Sequence, residues 1–189
     1  PKQAKIQVDN IVNTLSQASP QAKDAFTAAG KKYTDQLEDL DKWASDSMSA
    51  VPEQDRVLFS SHDAFGYFSN EYGVKFIGSA LSDFNNQQDA TSRHIDEQAK
   101  QIRESGAKAI FAENSNSSKS IEAIARAAGV KAVTSDDALY GDSLGVPGSE
   151  GETYIGSIVH NINTLVSAWD SEQKPLPESL QAFDVAKRK

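Results

Sequence analysis

Three histidines and no cysteine among 189 residues set narrow limits on the chemistry available to this chain. Thiolate metal sites, disulfides and cysteine nucleophiles are excluded together, so a metal ion would have to be held by imidazole and carboxylate groups. His62 is the histidine with the most informative surroundings. It follows the apolar run Val57-Leu58-Phe59 and the pair Ser60-Ser61, and it precedes Asp63 and a helical pattern. Strand pairing would fix the chain direction there, and a neutral imidazole so placed can bind a metal through one nitrogen if another group orients the ring. A histidine merely hydrogen-bonded at a sheet edge is the competing reading. Glu113 ends a second apolar run, Ala109-Ile110-Phe111-Ala112, and could ligate, support a ligand or cap the helix after Ser117. Asp136, Asp137 and Asp142 lie in a polar segment after a further run, and spacing does not choose among them or exclude a solvated acidic loop. Asp63 reads as a helix cap. His94, early in a helix, and His160, beside the apolar stripe of another, are expected at the surface.

Regular elements must bring these groups together. Val8, Ile11, Val12 and Leu15 predict an amphipathic helix over residues 3–17. After Ser19-Pro20, an N-cap and first-turn proline, one helical face runs from Phe26 through Tyr33, Leu37 and Leu40 to Ala44 and stops at Val51-Pro52. A helix over residues 21–48 would be about 40 Å long at ~1.5 Å per residue. That length suits a strut between lobes, or alternatively a coiled-coil arm. From Arg56 onward the rhythm changes. Three helical patterns close on Gly73, Gly106 and Gly129, and each runs directly into an apolar strand at residues 74–77, 109–112 or 130–133. Helix, glycine, strand, repeated, implies right-handed βαβ crossovers and a parallel sheet with helices on both faces. Ligands of such sheets bind beyond the carboxyl ends of the strands, where His62, Glu113 and the loop 134–152 converge. The last strong helix carries Ile155, Ile158, Val159, Ile162, Leu165, Val166 and Trp169. A tail with Pro175 and Pro177, ending Lys187-Arg188-Lys189, reads as loosely ordered.

Other chemistries lack their parts. The net charge is -8 and the basic residues form no stripe, so nucleic acid is not an expected partner. There is no GxxxxGK[ST] phosphate loop and no nucleophile elbow around Ser60-Ser61. The Asp-rich loop lacks the alternating acids and twelfth-position Glu of an EF-hand.

Ser61-His62-Asp63-Ala64-Phe65-Gly66-Tyr67-Phe68 closely resembles the "(S/A)HDAFGYF" segment of the metal-binding solute-binding proteins of ABC importers, the zinc, manganese and iron receptors of the ZnuA, TroA and PsaA type. Three further segments match in order: Ala109 to Ser115, Leu139 to Gly145, and Gly151 to Gly156 with His160-Asn161. The resemblance implies two α/β lobes joined by one long helix, with metal held between them by four side chains. It places the third ligand on His62 and the fourth on Asp142, and gives Glu113 the place of a supporting group behind them. It also implies that residues 1–18 close an amino-terminal lobe, 19–52 form the linking helix, 53–170 the carboxyl-terminal lobe and 171–189 a tail.

One departure bears on binding. The family's first two ligands are histidines of the amino-terminal lobe, the second within an "HxWxDP" segment whose last proline Pro1 resembles. The chain is therefore expected to be a fragment with half the coordination shell and weak or absent binding of Zn2+ or Mn2+, with Fe2+ as a third candidate. Implied partners are an ABC permease and the missing lobe; the implied location is extracytoplasmic, either periplasmic or as a surface lipoprotein anchored upstream. No substrate conversion is expected. A metal-dependent hydrolase and a surface adhesion module are the alternatives from other classes.

Overall fold

Four short parallel strands carry the site, in a computed structural model that describes residues 1–81 and 92–184. Strands β1 (Val57–Ser60) and β2 (Lys75–Ser79) pair in parallel, with a bulge between Leu58 and Phe59. Strands β3 (Ala109–Phe111) and β4 (Lys131–Val133) form the second parallel pair, and β1 lies beside β3. Successive residues on a strand face opposite sides, and here the alternation divides two cores. Leu58, Ala109 and Phe111 face one core, while Val57, Phe59, Ile110 and Ala112 face the other. Both faces are thus apolar and both are covered, as a parallel sheet demands.

Helices α4 (Ser92–Ser105) and α5 (Lys119–Ala128) cover the second core with Ala99, Ile102, Ile121, Ile124 and Ala125. Helices α2 (Lys23–Ser49), α3 (Gly66–Tyr72) and α6 (Tyr154–Ala168) cover the first. Gly73 (φ 63°) and Gly129 (φ 74°) end α3 and α5 in the left-handed conformation that glycine adopts without strain. The expected order of helix, glycine and strand is thereby realised.

Helix α2 has 27 residues, hence a length of about 40 Å. Its carboxyl-terminal half buries Leu37, Leu40, Trp43, Ala44 and Met48 in the first core. Its other half pairs with α1 (Lys2–Ala18), in which no residue is fully buried. Gly30 permits that pairing, since a Cβ there would fall 2.4 Å from Val12 Cγ2. No helix among the described residues is long and apolar enough to cross a membrane.

The expectation of a loosely ordered tail is corrected through Asp184. Leu176 and Leu180 are buried against α2 and α6, and a 3₁₀ turn spans Glu178–Phe183. Trp43 Nε1 donates to the Lys174 carbonyl (3.2 Å), and Ser179 Oγ donates to Asp39 (2.6 Å). Proline fixes the chain direction without a helix, so two well-spaced leucines suffice to dock it. Lys187-Arg188-Lys189 lie outside the described residues.

Candidate functional site

The site forms where β1 and β3 run out. His62 sits in the bend after β1, and its main-chain N–H donates to Glu113 Oε1 (3.0 Å). Glu113 follows β3, and its own N–H donates to Ser61 Oγ (3.2 Å). Each strand exit therefore holds the other. The Glu113 side chain is fully buried and that of His62 is 13% exposed, whereas Asp142 is about half exposed on the loop above. His62 Nε2 lies 3.1 Å from Glu113 Oε2 and 2.7 Å from Asp142 Oδ2. One imidazole nitrogen thus faces two carboxylates.

Of the three loop acids, only Asp142 reaches His62. Asp136 and Asp137 are exposed in the 3₁₀ turn Ser135–Asp137. Past that turn and Ala138, Leu139 bridges to Glu113 in parallel, and the chain then runs through Tyr140 and Gly141 to Asp142. Gly141 passes directly over Glu113: a Cβ on it would meet Glu113 Oε2 at 2.4 Å and Ala64 Cβ at 3.3 Å.

Burial raises the Glu113 carboxyl above the usual carboxylate range, against the opposing pull of the His62 main-chain N–H; the charge of Asp142 adds to the rise. A carboxyl whose folded value is raised stabilises the fold most below its unfolded value, and that contribution is lost as pH rises through the folded value. Glu113→Gln is therefore expected to melt higher than the parent protein at neutral pH. The gap should close below pH ~4, as Glu113 becomes protonated in the unfolded chain as well as in the folded one. Thermal melts across that range decide it; a variant that melts lower throughout would mean that the charged carboxylate stabilises the fold.

Geometry sets a limit on the site as it stands. Two ligands about 2.0–2.1 Å from a tetrahedral zinc are separated by roughly 3.3 Å, so the 2.7 Å between His62 and Asp142 is ion-pair distance and must widen for a shared metal. Accordingly, among the described residues no group of three or more His, Asp or Glu is spread to hold a metal ion.

Three expectations about side chains need correction. Asp63 does not cap α3, which starts at Gly66 with Phe65 at the N-cap position and no side-chain capping bond. His94 is half-buried, its Nε2 3.4 Å from the Ala80 carbonyl oxygen. His160 is only 5% exposed, with Nδ1 2.9 Å from Glu150 Oε2 and Nε2 3.0 Å from the Ala138 carbonyl oxygen. Its neighbour Asn161, also buried, holds both main-chain groups of Tyr140. The signal for both was available in the sequence. No charged residue occurs from Thr153 to Trp169, and a helix without a charged face can bury residues well beside its apolar stripe.

Comparison with known proteins agrees with this architecture. The family model described as "ZnuA: Zinc-uptake complex component A periplasmic" matches residues 1–168. The manganese-binding lipoprotein MntA of Bacillus subtilis (strain 168) is 41% identical over 163 residues, 85% of this chain and 53% of that protein. The zinc-binding protein TroA of Treponema pallidum (strain Nichols) is 32% identical over 163 residues, 85% of this chain and 52% of that protein. A solved structure of the periplasmic zinc binding protein TroA from Treponema pallidum superposes with a TM-score of 0.78 at 31% identity, covering 90% of this chain and 61% of that one. The chain spans about half the length of the curated relatives it matches.

Proposed function

Because the chain belongs to the ZnuA family of periplasmic zinc-uptake components, we propose that it takes part in capturing a divalent transition metal outside the cytoplasmic membrane for delivery to an ABC permease. His62 and Asp142 are the ligands it contributes, and Glu113 is the buried acceptor that orients His62. The observation that carries this reading is the meeting of His62 Nε2 with Asp142 Oδ2 at 2.7 Å, above Glu113 at 3.1 Å. Family membership supports capture and release rather than conversion of a substrate.

In this reading residues 53–170 are the carboxyl-terminal lobe, 19–52 the linking helix, and 1–18 the last helix of an amino-terminal lobe that supplies the remaining ligands. The span of about half the relatives' length supports that division, and so does the pairing of α1 with α2. The cargo is zinc or manganese, the metals in the names of TroA and MntA, with iron as a third candidate. The place of action is the periplasm or the cell surface, in keeping with relatives named periplasmic proteins and lipoproteins. Alone, two side chains and solvent bind weakly.

Imidazole binds a metal only in its neutral form and a carboxyl group only when ionised, so affinity falls as protons compete. In a protein of the relatives' full length containing this lobe, Zn2+ or Mn2+ affinity should drop steeply between about pH 7 and pH 5. An affinity flat across that range would remove His62 from the ligand set.

A further inference from the structure

The acid assigned to the metal sits on an exposed loop, yet a ligand must be placed within a few tenths of an ångström. The loop carries little of its own core: Gly141, Asp142, Ser143 and Leu144 are all exposed. What places Asp142 is found on either side of it. Two residues before it, Tyr140 is held by Asn161 of α6, whose Oδ1 accepts the Tyr140 main-chain N–H (2.9 Å) and whose Nδ2 donates to the Tyr140 carbonyl (2.8 Å). One residue after it, Asn114 Nδ2 donates to Ser143 Oγ (2.9 Å).

The Asn161 arrangement has the character of a clamp. A side-chain amide that both accepts from and donates to one residue's main chain fixes that residue in position and rotation, as a neighbouring strand would. Asn161 is 1% exposed on the buried helix α6, so its bonds do not compete with water, and losing them would strand buried polar groups. Adjacent His160 reaches the same loop at the Ala138 carbonyl and at Glu150, and its ring packs edge-on against Tyr140 at 4.9 Å. Asn114 directly follows Glu113, so the second anchor belongs to the strand exit that carries the buried carboxylate.

We propose that Asn161 is the positioning residue for Asp142: its two hydrogen bonds to Tyr140, with Asn114 as the anchor on the other side, hold the loop so that the Asp142 carboxylate meets His62. Asn161 touches no metal in this scheme and acts only through the main chain of Tyr140. The inference rests on the reading of His62 and Asp142 as ligands for its functional consequence, though not for its structural one.

The experiment therefore has two readouts on the 189-residue chain. In metal-free protein at one fixed pH, the His62 imidazole resonances are recorded for the parent, Asp142→Ala, Asn161→Ala, Asn161→Asp and Asn114→Ala. Asn161→Ala should move His62 to the position seen in Asp142→Ala, with faster hydrogen exchange confined to residues about Tyr140. Asn114→Ala should move it part of the way. In the second readout, Zn2+ is titrated into the same variants. Asn161→Ala should weaken binding about tenfold, within the range for groups that orient ligands, and in metal-free protein the double variant with Asp142→Ala should show the same His62 resonances as Asp142→Ala alone.

A purely structural role would lower the melting temperature while leaving His62 in the folded protein and the Zn2+ affinity unchanged, and that result overturns the proposal. A double variant whose His62 resonances differ from those of Asp142→Ala also overturns it. Should Asn161→Ala fail to fold, Asn161→Asp carries the test, because it keeps the acceptor for the Tyr140 N–H and removes only the donor. If Asp142→Ala leaves Zn2+ binding untouched, the ligand assignment is wrong, while the His62 resonances still decide whether Asn161 places the loop.

Discussion

Gly141→Ala is expected to damage the site although it adds only a single methyl group. Its Cβ would arrive 2.4 Å from Glu113 Oε2 and 3.3 Å from Ala64 Cβ, so about 1 Å of movement is needed to restore ordinary contact. Backbone strain plays no part, because Gly141 is not among the glycines with positive φ. The outcome depends on which partner yields. Glu113 is held from both sides, by the His62 N–H on its carboxylate and by its own N–H on Ser61. The 141–144 segment is exposed and softer. We therefore expect the loop to lift and carry Asp142 away from His62, with a stability loss of about 1–2 kcal/mol and a fall in metal affinity of about tenfold. Gly66→Ala is the control, since a Cβ there has nothing within 4 Å. Equal behaviour of the two variants would show that Gly141 does not pass over Glu113 as described.

Trp169→Ala should have the largest effect on stability. Trp169 is fully buried at the end of α6, and its ring meets Phe111 of β3 edge to face, with centroids 6.2 Å apart. Removing so large a side chain from a closed core costs about 3–5 kcal/mol, a large part of the ~5–15 kcal/mol by which domains are stable. The melting temperature should fall by roughly 6–20 °C. Phe111 lies two residues before Glu113, so the strand exit under the site should loosen as well, seen as faster exchange of the His62 and Glu113 amides. Trp169→Phe should recover most of the loss, because it keeps an aromatic ring against Phe111. A change below about 1 kcal/mol for Trp169→Ala would contradict the burial of this side chain.

Much of the fold was legible because it rests on short-range rules. The alternation of Val57-Leu58-Phe59 and of Ala109-Ile110-Phe111-Ala112, and the glycines that close α3, α4 and α5, each express local chemistry that tertiary packing did not override. Parallel pairing followed from their order. His62 was legible for the same reason, as the polar residue at the exit of a buried strand. Asp142 was not, because the path from β4 to Asp142 is set by contacts distant in sequence: Leu139 against Glu113, Gly141 over Glu113, and Asn161 on Tyr140. Family resemblance selected Asp142 where spacing had left three acids level. The apolar stripe of α6 alone places His160 beside the core, whereas the absence of charge along the helix is the signal that its burial extends past that stripe. In the tail, Pro175 and Pro177 signal irregular chain, and nothing local signals that its leucines dock. Leu176 and Leu180 have no period of their own and acquire meaning only beside α2 and α6.

The joint role of His62 and Asp142 in binding metal is decided by calorimetric titration of the chain with Zn2+ and with Mn2+ at neutral pH, for the parent, His62→Ala, Asp142→Ala and His94→Ala. Weak binding, poorer than micromolar, is expected, lost in His62→Ala and in Asp142→Ala and kept in His94→Ala. Binding that survives both site substitutions would contradict the ligand assignment, and sub-micromolar one-to-one binding abolished by His62→Ala would contradict the view that this chain holds only part of the shell.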